Sequence, residues 1–124
     1  MMRDDVIERL KSLGYTVTDA DGFGLVFVID KVTNTIKNEC NVSEIPEGLY
    51  HIAVDMVCGE FLLVKKKSGQ LADFDAENAI KQIRAGDTSI TYAVADSMNA
   101  IDVLIEWLLN KNRLQFATFR RFKW

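Results

Sequence analysis

The chain has 124 residues, of which 48% are hydrophobic and only one is a proline. This is enough for one domain with a packed core, and too apolar for a disordered chain. The net charge of −3 argues against a general nucleic-acid-binding protein, which carries excess positive charge on its folded body. Arg3, Asp4 and Asp5 stand where a signal peptide would be apolar, and no uncharged run reaches the ~18 residues of a membrane span. We expect a soluble protein made in the cytosol, with no membrane partner.

Cysteine and histidine are too scarce for the commonest catalytic and metal sites. Cys40 and Cys58 lack CxxC spacing, so we expect two buried thiols in a reducing compartment. His51 is the only histidine, which argues against a histidine-based metal site and against a hydrolase nucleophile–base pair. No glycine-rich phosphate loop is present. The sequence therefore predicts no cofactor and no enzyme.

One stretch has the spacing of a calcium loop, with suitable residues at loop positions 1, 3, 6 and 12: Asp19, Asp21, Gly24 and Asp30. However, Phe23 and Phe27 occupy positions 5 and 9, and the bidentate glutamate expected at position 12 is missing. We interpret the stretch as an Asp-Gly turn that caps the second helix.

Two helices are predicted in the first third of the chain. The first spans about Asp4 to Leu13 and is stopped by Gly14. The second ends near Asn41 and has an apolar stripe at spacings of three and four residues: Leu25, Ile29, Val32, Ile36 and Cys40. The segment LVFVI alone could also be a buried strand, but the continuing stripe favours a helix. The extra apolar residues Val26, Phe27 and Val28 are expected to widen the buried face.

A third helix is predicted with Pro46 in its first turn, where the missing N–H is tolerated. Apolar residues continue at helical spacing from Leu49 to Val64. The lysines at 65–67 suit a helix C-terminus more than a nucleic-acid patch, and Gly69 suits the position just beyond it. Residues 70–79 are expected to form a linker or a short helical turn.

A short β-hairpin is predicted at about residues 80–94, in the segment IKQIRAGDTSITYA. Ile90 and Tyr92 alternate with small residues, and Gly86 and Asp87 precede them. Two strands alone are marginal in water, so the hairpin either packs on its own bundle or pairs with a neighbouring subunit.

A last helix is expected to begin with Asp96 as its N-cap and to present one apolar face: Met98, Ile101, Ile105 and Leu108. It is apolar around most of its circumference, so we expect it to be central in the bundle or covered by a second subunit. Together these elements predict a mainly α protein: a small bundle of about four helices, a hairpin before the last helix and an extended C-terminal arm.

Charge divides the chain at its C-terminus. Residues 1–106 hold 18 acids and 10 bases, a net −8, whereas residues 107–124 hold five bases and no acid. Aromatic residues recur among these bases, so we divide the chain into a domain (1–113) and an arm (114–124). The arm could pack on its own core, bind nucleic acid by phosphate contacts and base stacking, or dock on a partner protein.

The layout resembles the head–tail connector (adaptor) proteins of tailed bacteriophages and prophages. The residues that carry the resemblance are the N-terminal helix, IKNECNVSEIPEGLYHIAVDMVCGEFL, IKQIRAGDTSITYA and the basic-aromatic end. The helix entry at Asn41, Ile45, Pro46 and Leu49 is the first of its two most specific parts. The second is the I-x-x-G-D-x-S-I stretch that starts at Ile83. The alternation of acids and bases over residues 65–77 matches no motif of that family.

The resemblance implies a small, mainly helical protein of the virion's head–tail junction, assembled in the host cytoplasm. It would form a ring of itself, expected to have twelve copies, between the portal protein and the next head-completion or tail protein. DNA would pass through the ring without specific binding, which agrees with an acidic body because a basic bore would hold the phosphates. The alternative from the residues themselves is a small nucleic-acid-binding or regulatory protein that acts through its C-terminal tail.

The resemblance also implies where the contacts lie. The portal-docking arm would use aromatic and basic side chains: Phe116, Phe119, Arg120, Arg121, Phe122 and Trp124. The interface between ring neighbours would use the hairpin residues: Ile83, Gly86, Asp87, Ser89, Ile90 and Tyr92.

Overall fold

The computed structural model describes residues 2–71, 73–86 and 99–110. Within these ranges the chain is mainly helical, with five α-helices and no strand. The helices are α1 (Met2–Ser12), α2 (Gly22–Cys40), α3 (Tyr50–Lys67), α4 (Ala76–Gly86) and α5 (Ala100–Asn110). Single 3₁₀ turns at Asp19–Asp21 and Glu47–Leu49 lead into α2 and α3. The mainly helical prediction is confirmed, but the count of about four helices is wrong within this part of the chain.

The core is organised around α3. Every residue from Ile52 to Gly59 is buried, including the polar face of the helix at Asp55. Helices α1, α2 and α5 pack around α3, and α4 packs on α5. The other helices each bury one face against this core, as Leu10, Leu25 and Leu104 illustrate with no exposed surface at all. The sequence predicted that the last helix is either central or covered by a second subunit, and the central position belongs to α3.

Helices α3 and α5 approach closely because α3 has no side chain at the contact. A Cβ atom placed on Gly59 would lie 3.0 Å from Leu108 Cβ and 3.0 Å from Leu109 Cγ. Near the other end of the contact, the Lys66 ammonium pairs with the Asp102 carboxylate. The two contacts show that α5 runs antiparallel to α3.

The helix C-termini follow the predicted stop signals. Gly69 has a φ of +75°, and the amides of Gln70 and Gly69 donate to the carbonyls of Lys65 and Lys66 at 2.9 and 3.0 Å. This is the Schellman arrangement, which needs a left-handed residue just beyond the helix. Asn41, with a φ of 55°, ends α2 in the same way. The three lysines at 65–67 form the last turn of α3, as predicted.

The predicted hairpin is wrong where the structure describes it. Residues 80–86 are the second half of α4, and residues 87–94 lie outside the described ranges. The Asn78 amide donates to Asp75 Oδ1 at 3.0 Å, which caps the helix start. Apolar residues then recur at helical spacing on the buried face: Ala76, Ala79, Ile80 and Ile83. This helical pattern begins upstream of the alternation at Ile90. The sequence prediction considered the segment only from Ile80 onward and therefore missed the helix.

Three further predictions concern caps and thiols. The N-cap of the last helix is Asn99, whose Oδ1 accepts from the Asp102 amide at 3.1 Å, and not Asp96. The first turn after Pro46 is a 3₁₀ turn, and α3 itself begins at Tyr50. Cys40 and Cys58 are both buried, which confirms that part of the prediction for the two thiols. Burial raises the pKa of the Cys58 thiol.

We predict that Gly59→Leu destabilises the protein by about 1–3 kcal/mol, because a side chain there forces α5 away from α3. Gly24→Ala is the matched control, since a Cβ at Gly24 meets no atom within 4 Å. Its free energy of unfolding should stay the same or rise by up to about 1 kcal/mol, because alanine favours a helix. Urea unfolding of the three proteins measures both values. Equal stability of Gly59→Leu and wild type would contradict the close approach.

Candidate functional site

The outer side of α2 exposes large apolar side chains near its N-terminus. The exposed fractions are 87% for Phe23, 63% for Phe27 and 49% for Val26. We call these three residues the outer face of α2. Val64 of α3, also 49% exposed, lies across a shallow groove lined by Gly24 and Val28 of α2. Exposed apolar side chains that cluster in this way are typical of interaction surfaces.

The sequence prediction for this part of α2 was partly wrong. Val28 is buried as expected, but Val26 and Phe27 point away from the core. A helix advances about 100° per residue, so Phe23 and Phe27 lie almost opposite the stripe that starts at Leu25. The sequence prediction did not identify Phe23 as an outward-facing residue, although its position almost opposite that stripe indicates it.

The start of α2 is held in place by the buried carboxylate of Asp21, which is 4% exposed. Its Oδ2 accepts from the Tyr15 hydroxyl and from the Thr18 amide, each at 3.0 Å. Its Oδ1 pairs with the ammonium of Lys65 on α3. Asp21 therefore joins the loop after α1, the start of α2 and the end of α3. Asp21, one of the four residues with the spacing of a calcium loop, therefore has a structural role.

Lys65 adds to the same junction. Its ammonium also donates to Gln70 Oε1 at 2.8 Å and lies 5.5 Å from the centre of the Phe61 ring. The Tyr15 ring meets Phe61 edge-on, with 5.6 Å between ring centres. The junction fixes the first turn of α2, and with it the direction in which Phe23 projects.

The junction shifts the acidity of two of its groups. Burial raises the pKa of Asp21, but the Lys65 ammonium, the Thr18 amide and the Tyr15 hydroxyl outweigh burial and lower it below its ordinary value. Burial and the hydrogen bond to Asp21 raise the pKa of Tyr15 to about 12. At neutral pH the site is therefore an ion pair with a neutral tyrosine.

A polar cleft between α1 and α3 is the second place where titratable side chains lie close together. Arg9 Nε donates to Asp55 Oδ1 at 2.8 Å, and the Tyr50 hydroxyl donates to Asp5. His51 is exposed and meets the Tyr50 ring edge-on. The hydrogen bond to Asp5, with burial, raises the pKa of Tyr50 to about 12, so its hydroxyl is protonated at neutral pH. These contacts tie α1 to α3 and explain the polar residues of the cleft structurally.

The structure places only two of the predicted site residues. Ile83 is buried in the core by α4, and Gly86 is the last residue of that helix. The other predicted ring-interface residues, Asp87, Ser89, Ile90 and Tyr92, lie outside the described ranges. The whole C-terminal arm, residues 114–124, also lies outside them.

Residues 2–71, 73–86 and 99–110 contain neither a cluster of metal ligands nor a membrane-spanning helix. Within these ranges no three histidine, cysteine, aspartate or glutamate side chains are grouped as metal ligands. No helix there is long and apolar enough to cross a bilayer. Comparison of the chain with family models, curated proteins and solved structures gives no match. The exposure of Phe23, Val26 and Phe27 makes the outer face of α2 the candidate site.

We predict that Phe27→Ala changes the free energy of unfolding by no more than about 1 kcal/mol, because the side chain is mostly exposed. The matched variant Leu25→Ala, at a position with no exposed surface, should cost about 2–5 kcal/mol. Urea unfolding monitored by circular dichroism compares the two. A loss of 2 kcal/mol or more in Phe27→Ala would mean that Phe27 supports the core and is not a free surface.

We also predict that Asp21 contributes to stability in a pH-dependent way. A carboxylate whose pKa is lowered by folding stabilises the protein above its unfolded pKa of about 3.9, and this contribution is lost as the pH falls through the folded pKa. The wild type should therefore lose stability more steeply than Asp21→Asn between about pH 5 and pH 2. At pH 7 the variant should be less stable by about 1–3 kcal/mol, because Lys65 loses its charged partner. Urea unfolding across this pH range tests both statements, and parallel pH profiles would contradict them.

Proposed function

We propose that the protein is a structural, non-enzymatic assembly protein: a head–tail connector that forms a ring below the portal of a tailed phage or prophage. The ring would extend the DNA channel and provide the attachment site for tail components in the virion. The observation that supports this most is the outer face of α2, an exposed apolar surface on an otherwise well-packed helical core. Such a surface suits binding to protein more than chemistry on a small molecule.

The charge distribution supports the same proposal. The body of the chain, residues 1–106, carries a net −8, so a channel wall built from it would not hold DNA by its phosphates. Bases outnumber acids only in the last 18 residues, where they accompany aromatic side chains. Arginine and aromatic residues are the side chains most enriched at the energetic centres of protein interfaces. We therefore propose that the arm, residues 114–124, docks on the portal protein.

The ring contacts are proposed for the segment that joins α4 to α5. Ile83 supports its own core, so the contact would fall on the later residues, Asp87 to Tyr92. The mainly helical fold is compatible with this role, because packed helices provide a rigid frame that presents a connecting segment to a neighbouring copy.

We predict that the full chain is captured by the immobilised portal protein encoded in the same gene cluster. The variant with Phe119, Phe122 and Trp124 replaced by alanine should lose at least about tenfold in capture, because these substitutions remove the aromatic anchors. The matched control is Phe74→Ala, which removes an aromatic ring that contacts Tyr15 within the domain. Its capture should equal that of the wild type at a temperature where both are folded.

The outcomes separate the two candidate functions. Equal capture of the wild type and the arm variant would retain the connector role and refute the arm assignment. If neither is captured, the connector proposal is refuted. Retention of labelled DNA or RNA in a filter-binding assay, weakened steeply by salt, would then favour the nucleic-acid-binding alternative.

A further inference from the structure

We propose that in the free protein the C-terminal arm, residues 114–124, binds the outer face of α2 of its own chain. Both the outer face of α2 and the arm carry apolar side chains whose burial is favourable. The face exposes Phe23 by 87% and Phe27 by 63%, and the arm holds four aromatic residues within its eleven positions. Leaving two such apolar surfaces in water is unfavourable, and joining them removes both from solvent.

The geometry of the helices allows the arm to reach this face. Helix α5 runs antiparallel to α3, and its last described residue, Asn110, lies close to the level of Gly59. Helix α2 also runs antiparallel to α3, because Asp21 at its start pairs with Lys65, whereas Lys31 further along pairs with Glu60, earlier in α3. Phe27 lies one turn before Lys31, and so about two turns along α3 from the end of α5.

The distance to be spanned is short compared with the length of the segment. Two interhelical spacings of about 8–10 Å separate α5 from the far side of α2. With the offset along the helices, at about 1.5 Å per residue, the separation is roughly 20–25 Å. The fourteen residues after Asn110 span up to about 46 Å when extended. About six to eight extended residues span this separation, so the later part of the arm, with Phe119, Phe122 and Trp124, can lie on the outer face of α2 of the same chain.

The charges around the face also suit a basic segment. Asp19 lies just before the face and Asp30 just after it, and both are exposed. The two lysines beside the groove are paired with acids: Lys31 with Glu60, and Lys65 with Asp21. The arm brings Arg120, Arg121 and Lys123 to this edge.

One cation lies close to the face on the α1 side. Arg3 reaches to within about 4.0 Å of the position that a Cβ on Gly22 would occupy, at the first turn of α2. The exposed acid Asp19 lies at the same end of the helix. The opposite end, at Asp30, is the more favourable edge for the arginines of the arm.

The tether favours the arm's own chain over a second copy. A short linker gives an intramolecular partner an effective concentration in the millimolar range, far above the concentration of free protein in solution. In the free protein the arm and the outer face of α2 would then mask each other. If the proposed connector function is correct, docking of the arm on the portal would also uncover this face for the next contact of the assembly.

Crosslinking of the full chain tests the proposal. Gly24→Cys places a thiol beside Phe23 and Phe27, where a Cβ meets no atom within 4 Å, and Lys123→Cys places the second thiol in the arm. The native cysteines do not compete, because Cys40 and Cys58 have no exposed surface. A short bismaleimide should join residues 24 and 123 within one chain, identified by mass spectrometry of the monomer band. The matched control pairs Lys123→Cys with Ala85→Cys on the exposed side of α4 and should give at least about fivefold less product.

Adding Phe27→Ser to the Gly24→Cys, Lys123→Cys protein should also lower the intrachain product at least about fivefold, with the circular dichroism of the helices unchanged. Crosslinks found mainly between chains would overturn the proposal in favour of a second copy. Equal yields in the control pair, or no effect of Phe27→Ser, would overturn it in favour of random contact. The experiment uses the free protein without portal, so its failure is distinct from the failure of the portal-capture experiment.

Discussion

Helix α3 must be covered from several sides, and this constraint organises the rest of the described structure. Its residues from Ile52 to Gly59 are all buried, so no single partner helix could shield it. Helices α1, α2 and α5 are each amphipathic enough to cover one side, and α5 approaches closely because residue 59 has no side chain. Helix α1, with eleven described residues, is too short to be stable alone in water. Its stability comes from packing on α3.

The polar contacts then determine how the covering helices are oriented. Asp21 and Lys65 join the start of α2 to the end of α3, and Arg9 with Asp55 joins α1 to the same helix. Each pair connects elements that are distant in sequence, so each restricts the rotation of a helix about its own axis. With the rotation of α2 fixed in this way, Leu25 faces the core and Phe27 faces outward. The ion pair and the buried apolar stripe of α2 thus agree with the same rotation, which leaves Phe27 exposed.

The proposed assembly role and the proposed arm contact both depend on when the apolar surface of the protein is exposed. A subunit that later binds several partners needs apolar surface for those contacts, and exposed apolar surface also promotes aggregation before assembly. A basic-aromatic segment tethered beside an apolar helix face would resolve this conflict within one chain. The acidic body and the basic C-terminus would assist, because opposite charges draw the segment toward the domain.

Local signals in the sequence determined the helical class, the stops at Asn41 and Gly69, the lysine turn at the end of α3 and the burial of both cysteines. These depend on periodicity, backbone conformation and side-chain type, which act over a few residues. The position of α3 at the centre depended on tertiary contacts. The helix at Ala76–Gly86 and the outward direction of Phe27 follow from helical spacing that the sequence prediction did not use. A stretch of apolar residues such as LVFVI shows that a helix can be buried, but not which of its sides has a partner. Which helix covers that side depends on contacts such as that of Asp21 with Lys65, residues 44 positions apart in the sequence, which no local pattern encodes.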